Sequence, residues 1–165
     1  MKRFFAFLLA CLLCSVMIGC GQTENTSSNT SQLMDMDTIG EHTTMVTAFD
    51  QTEELVGFTI EAPETYRDKK PEIAVLEERI IQLGYDAGEL GNILVRKAKG
   101  EEDLSGDTNT YDVVKTETVG GKSVRLKGNE QYALVAIWQK GGYSYSITCQ
   151  GLAYEEMLAL VEQIG

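Results

Sequence analysis

Arg96, Lys97 and Lys99 form a dense basic cluster in a chain of 165 residues with 14 basic and 25 acidic side chains. They lead into Asp103-Leu104-Ser105-Gly106-Asp107-Thr108-Asn109. Cations beside such a run of oxygens can dock an anionic partner or pair with Glu101, Glu102 and Asp103. The oxygens fall at alternate positions, as in calcium loops. However, Thr108 stands where the sharp turn requires glycine and Val114 where the bidentate glutamate belongs, so no metal is expected. The expectation is an acidic loop whose Asp and Ser side chains bond their own backbone. Arg96, Lys97, Lys99, Asp103, Ser105 and Asp107 are candidate partner-binding residues. Tyr143 joins them, because aromatic groups are favoured at binding surfaces, whereas Trp138 and Tyr145 share strand parity and are assigned to the core.

Catalytic motifs fail on inspection. Gly121-Lys122-Ser123 copies the end of a phosphate-binding loop, but Thr116 holds the place of its first glycine and the segment reads as a hairpin. Gly142-Tyr143-Ser144-Tyr145 begins like a nucleophile elbow, yet Ser146 replaces the second glycine and no helix follows directly. His42 is the one imidazole. With no cysteine or second histidine nearby it reads as an exposed loop residue, and it leaves Ser-His and Cys-His chemistry unsupported. No catalytic residue, metal or cofactor is expected.

Cysteine chemistry is different. Lys2 and Arg3 precede an apolar run, Phe4 to Ile18, too short for a comfortable bilayer span and right for the apolar region of an export signal. The run closes on Met17-Ile18-Gly19-Cys20, which resembles the lipobox of bacterial lipoprotein signal peptides, with Met17 in place of the more usual leucine. That resemblance implies that the Cys20 thiol is lipidated, that the bond before it is cut, and that the mature chain sits on the extracytoplasmic face of the cell membrane. Two acyl chains suffice to hold it, each buried methylene contributing about 0.8 kcal/mol. Cys11 and Cys14 leave with the signal, so Cys149 is expected to be the lone thiol. It lies in an alternating stretch and reads as a small buried hydrophobe.

The organisation expected is a signal peptide over 1–19, a lipidated cysteine and flexible tether over 20–47, and one domain over 48–165. Gly21 to Gln32 lacks apolar residues, and its reach is on the order of 20 Å. Losing Lys2 and Arg3 with the signal moves the formal charge from −11 to −13. Such a chain repels nucleic acid and anionic headgroups. The partners expected are the membrane, through the N-terminal lipid, and an unidentified protein or envelope ligand.

The elements that must position these residues can be read in order. Leu33 to Thr47 shows no sustained period and is left unassigned. Asp50 as N-cap with Glu53 three positions on, then Gly57 as a stop, predicts a short helix. Phe58 to Ala62 alternates and predicts a strand. Pro71 to Tyr85 fits a helical stripe or two strands, and pattern alone does not decide. Asn92 to Lys99 reads as a strand, Gly100 to Asn109 as a polar loop. Around Gly120-Gly121, parity favours a three-residue loop that includes Lys122, pairing Val124 with Thr118 and Leu126 with Thr116. Around Gly141-Gly142, a two-residue loop sets Trp138 opposite Tyr145, Ala136 opposite Ile147 and Leu134 opposite Cys149. Tyr154, Met157, Leu158, Val161 and Ile164 predict a C-terminal helix over one sheet face.

These pieces resemble, in order, the bacterial domain-of-unknown-function family 4367, common in Gram-positive lipoproteins and anti-sigma-factor-related proteins. The matching residues are Val56-Gly57-Phe58 leading to Ala62-Pro63, Arg96-Lys97-Ala98-Lys99-Gly100 with Asp103 to Asp107, and Trp138 with Gly142-Tyr143-Ser144-Tyr145-Ser146, then Gly151-Leu152. One departure is Ala153, where a capping residue is usual. The resemblance implies two strands over Pro71–Tyr85 and carries no enzymatic activity. The fold class expected is α+β, an antiparallel sheet of hairpins with a C-terminal helix and a short N-terminal helix on one face. The function expected is a lipid-anchored, non-enzymatic binding or sensing module of the cell envelope. The alternatives are a carboxylate-based hydrolase acting on an envelope component and a purely structural envelope protein.

Overall fold

The computed structural model describes residues 42–165. The signal peptide, Cys20 and most of the tether lie outside the described residues. Strands β1 (Thr43–Val46), β2 (Glu72–Leu76), β3 (Ile80–Asp86) and β4 (Asn92–Lys99) form one meander; β5 (Val113–Val119), β6 (Lys122–Gly128), β7 (Tyr132–Lys140) and β8 (Tyr143–Ala153) form a second. Helix α1 (Gln51–Val56) follows β1, and α2 (Tyr154–Glu162) follows β8. The strands make one antiparallel sheet in the order β1-β2-β3-β4-β8-β7-β6-β5. The two meanders therefore meet only where β4 pairs β8, and residues 100–112 carry the chain from the centre of the sheet to its far edge.

Period-two alternation sends one set of side chains to a common face. Ile81, Leu83 and Tyr85 of β3, Ile93 and Val95 of β4, Val124 and Leu126 of β6, Ala136 and Trp138 of β7, and Tyr145 and Ile147 of β8 are buried together. Met157, Leu160 and Val161 of α2, with Ile164 beyond it, cover this face. Trp138 stacks on Tyr145 with ring centroids 5.2 Å apart, a pairing that adds roughly 0.5–1.5 kcal/mol beyond area burial. The helix begins at Ala153 without a side-chain cap. Lys122 secures its other end, donating from Nζ to the Val161 carbonyl at 2.7 Å, to Glu162 at 3.2 Å and to Ile164.

Several expectations are borne out and several are corrected. Pro71–Tyr85 is a hairpin, β2 and β3, whose turn residues Glu77 and Glu78 take φ of 51° and 53°. The Gly141-Gly142 hairpin pairs Trp138 with Tyr145 and Ala136 with Ile147. Beyond that the register shifts: Val135 faces Thr148 while Ala133 faces Leu152, so Leu134 is not opposite Cys149 and is only half-buried. The Gly120-Gly121 loop has two residues, not three, and pairs Glu117 with Val124 and Lys115 with Leu126. Both glycines sit at positive φ, 57° and 74°, which suits the twist of a two-residue turn. Lys115 and Glu117 thus take the covered side, where both are half-buried and the Lys115 ammonium stands 4.0 Å from the ring centroid of Tyr154 on α2.

Asp50 makes no side-chain cap; Gln51 accepts instead from the Thr47 and Ala48 amides. Phe58–Ala62 is not a sheet strand. It runs extended across the core, burying Phe58 and Ile60, and its backbone exchanges two hydrogen bonds, at 3.1 and 3.0 Å, between Glu61 and Gly165. Finally, β1 falls inside the stretch assigned to the tether and the unassigned segment, so the ordered sheet begins at Thr43.

Candidate functional site

Adjacent residues on a strand point to opposite faces, and β4 therefore divides the basic cluster. Val95, Lys97 and Lys99 share the core side, while Arg96 lies on the other. Arg96 and Lys97 are each 7% exposed, so the cluster makes no outward basic patch.

On the core side the Lys97 ammonium donates to the Thr59 carbonyl at 2.8 Å and to Gly165 O at 3.5 Å. It stands 4.6 Å from the Tyr143 ring centroid, 5.2 Å from Tyr145 and 5.9 Å from Phe58. Burial lowers its pKa, and Glu61 opposes that. Desolvated cation–π contacts of this kind contribute up to about 2 kcal/mol. Lys99 is exposed, with Nζ 5.6 Å from the Phe58 ring. Tyr143 is half-buried, its ring 5.2 Å from that of Phe58. Lys97, Lys99 and Tyr143 thus pin the Phe58–Ala62 crossing over the end of β4.

On the opposite side Arg96 holds the loop. Nε donates to Gln82 Oε1 at 2.8 Å, and Nη1 donates to the carbonyls of Leu104 at 2.9 Å and Ser105 at 3.3 Å. Burial lowers the guanidinium's pKa. Within the loop each polar residue braces the next. The Ser105 amide donates to Asp103 Oδ1 at 2.9 Å and its hydroxyl donates to the same oxygen at 2.6 Å, while the Asp107 amide donates to Ser105 Oγ at 3.2 Å. The Asn109 amide and side chain, and the Tyr111 hydroxyl, all donate to Asp107 Oδ1. This is the self-bonded acidic loop that the spacing predicts.

Lys127, on β6, lies 3.7 Å from Asp103 Oδ2 and 3.4 Å from Asp107 Oδ2. Burial alone would raise the Asp107 pKa, but hydrogen bonds from Tyr111 and Asn109 and the Lys127 charge hold it below the usual carboxylate range. Tyr111 is correspondingly pushed up to about 12 by burial and by its bond to Asp107. Of the two roles open to the basic cluster, pairing with Glu101, Glu102 and Asp103 is not the one taken among the described residues. Arg79 takes Glu102 at 3.0 Å, and Lys127 takes Asp103.

The seven candidate residues thus form two groups on opposite faces of the sheet: Lys97, Lys99 and Tyr143 on one, Arg96, Asp103, Ser105 and Asp107 on the other. Lys127, Gln82, Tyr111 and Phe58 complete them and were not singled out from the sequence: strand pairing brings Gln82 to Arg96, the crossing segment brings Phe58 to Lys97, and the path of residues 100–112 brings Asp107 to Lys127, with Tyr111 four positions along. Glu101, Glu102 and Asp103 stay exposed on a loop whose buried Leu104 and Ser105 are anchored below. Chemically this is a pre-ordered acidic rim. Among the described residues no three His, Cys, Asp or Glu side chains converge as a metal site, and no helix is long and apolar enough to cross a membrane. Cys20 lies outside the described residues.

Comparison with curated protein sequences and with solved structures returned no match. The family model for a domain of unknown function, DUF4367, matches residues 61–164, which takes in strands β2 to β8 and helix α2, and the chain belongs to that family.

Proposed function

We propose that this protein is a lipid-anchored, non-enzymatic binding module on the extracytoplasmic face of the cell membrane, and that it meets its partner through the acidic loop 101–107. The anchor rests on the leader: Lys2 and Arg3, the apolar run to Ile18, then Gly19-Cys20. The observation that carries the binding reading is Arg96. A guanidinium is buried to hold two loop carbonyls while Glu101, Glu102 and Asp103 face solvent. Ordering a loop in advance lowers the entropy cost of binding. With Arg96 and Lys97 turned inward, the exposed side chains at the start of the loop, Glu101, Glu102 and Asp103, are all acidic, which suits a cationic partner. Asp103 and Asp107 do come together, but around Lys127, and Asp107 Oδ1 already accepts from Asn109 and Tyr111. That arrangement suits bracing and not general acid–base work.

Two measurements test this. Cys20→Ser should abolish both acyl mass and membrane fractionation; a variant that keeps either removes the anchor. A photo-crosslinking residue placed at Glu102 in the native cell, compared with one at exposed Thr44, should capture a partner from the loop position. Replacing Glu101, Glu102 and Asp103 by amides should weaken that capture, most strongly at low salt. Equal capture from both positions, or capture indifferent to the amides, removes the loop from the interface.

A further inference from the structure

Among the described residues nothing pairs with the outer edge of β5, where the sheet ends. Its sequence, Val113-Val114-Lys115-Thr116-Glu117-Thr118-Val119, is nearly symmetric in shape and antisymmetric in charge about Thr116. Val119 and Lys122 close a two-residue turn, and the closing pair of such a turn exchanges both backbone bonds. Val119, Glu117, Lys115 and Val113 therefore bond inward to β6. Thr118, Thr116 and Val114 turn their amides and carbonyls outward, to the free edge.

We infer that β5 pairs antiparallel with β5 of a second copy of this chain, about a two-fold axis at Thr116, so that two eight-stranded sheets join edge to edge. In that register every outward-bonding residue meets another: Thr116 faces Thr116, and Val114 faces Thr118 on either side. Lys115 faces Glu117 twice, and Val113 faces Val119. Lys115 already lies 3.3 Å from Glu117 of its own strand and 4.0 Å from the Tyr154 ring centroid, so the cation is held on the covered face where the second copy's carboxylate would arrive. Val114, 51% exposed, is covered by the neighbouring strand.

Inward-facing charges on an edge strand ordinarily discourage pairing. Here they select a register. Centring the axis on Lys115 or on Glu117 would set like charges directly opposite and leave fewer outward groups matched. The formal charge of −11 on each chain opposes approach, but that repulsion fades beyond about 8 Å at physiological ionic strength, whereas the Lys115–Glu117 contacts act at the edge itself.

The test uses the full chain in cells. Thr116→Cys is treated with a bifunctional thiosulfonate spanning about 5 Å, near the Cα separation of a hydrogen-bonded antiparallel pair. A covalent dimer that depends on this cysteine is expected. Lys115→Glu and Glu117→Lys, each added alone, should cut its yield about tenfold, since the two-fold axis doubles each like-charge contact. Both together should restore it. Thr118→Pro removes an outward amide without touching the β5–β6 ladder, and should also reduce the dimer, which keeps the test decisive if a charge reversal unfolds the chain. No dimer at Thr116→Cys, a dimer indifferent to the single reversals and to Thr118→Pro, or mixed crosslinking between Thr116→Cys and Thr44→Cys on β1 overturns the proposal.

Discussion

Replacing Arg96 by methionine keeps an apolar stem in a position only 7% exposed and removes the donors that fasten the loop. The Leu104 and Ser105 carbonyls share one nitrogen, Nη1, at 2.9 and 3.3 Å, so they count as one strong charge-assisted contact and not two. Hydrogen bonds to charged groups contribute about 1.5–3 kcal/mol net, and burying the guanidinium offsets part of that. Taking about 2 kcal/mol for the loop's share, local opening of Gly100 to Asn109 becomes roughly 30 times more frequent. Native-state hydrogen exchange reads this at the Ser105, Asp107 and Asn109 amides, whose partners are all within the loop. Arg96→Lys, which can reach the carbonyls but not also Gln82, should lie between. Loop exchange unchanged to within about threefold, alongside a lowered melting temperature, would refute the reasoning and leave Arg96 as a brace of the sheet through Gln82 and not of the loop.

Other expectations follow from the same contacts. Lys122→Met strips three carbonyls at the end of α2 of their donor and should cost about 2–3 kcal/mol in denaturant unfolding; a loss below about 0.5 kcal/mol would show that relief of the buried ammonium cancels it. Burial pushes the Cys149 thiol from an ordinary 9.0 up to about 11. At pH 8 that leaves about a hundredfold less thiolate, only about tenfold of which is regained by higher nucleophilicity, so a soluble thiol reagent should label the native chain slowly and the unfolded chain fast. Because the folded pKa is the higher one, stability carried by this thiol is intact below pH 9 and lost as pH rises towards 11; a pH-independent melting temperature over that range would contradict it. Glu78 holds φ at 53°, and Glu78→Gly should stabilise by about 0.5–1 kcal/mol in thermal melts, with any destabilisation counting against strain at that turn.

What could be read in the sequence divides along a physical line. The Gly141-Gly142 hairpin was legible because both strands carry large apolar groups at matching parity, so only one register buries them. The Gly120-Gly121 hairpin was misread for the opposite reason: at a sheet edge Lys115 and Glu117 satisfy a covered position with their stems, and threonines on the exposed side looked like better partners for Val124 and Leu126. Phe58–Ala62 has the alternation of a strand but pairs only through Glu61 with Gly165, a partner far along the chain that local pattern cannot name. The register shift at Leu134 likewise leaves no trace in polarity. In the site, the loop's internal bonding was visible from Asp and Ser at alternate positions. The splitting of Arg96 from Lys97 follows from strand parity once β4 is accepted. The arrival of Lys127 and Tyr111 beside Asp107 depends on the crossing of residues 100–112.

That crossing also sets an order in time. Apart from the join of β1 to β2, which residues 47–71 separate, each meander is built from hairpins whose ends meet after a few residues, on a scale of microseconds. Joining β4 to β8 instead brings together positions at least 44 residues apart, from Lys99 with Tyr143 to Leu94 with Thr148. Loop closure costs about 0.6 kcal/mol per doubling of length, so this junction starts about 2–3 kcal/mol behind the turns. Until it forms, β4 and β8 are both open edges flanked by apolar side chains, Val95 and Leu94 on one, Tyr145 and Ile147 on the other. A nascent chain therefore passes through an interval in which its most aggregation-prone strands are the ones destined for the centre, and its survival depends on how quickly the two halves find each other.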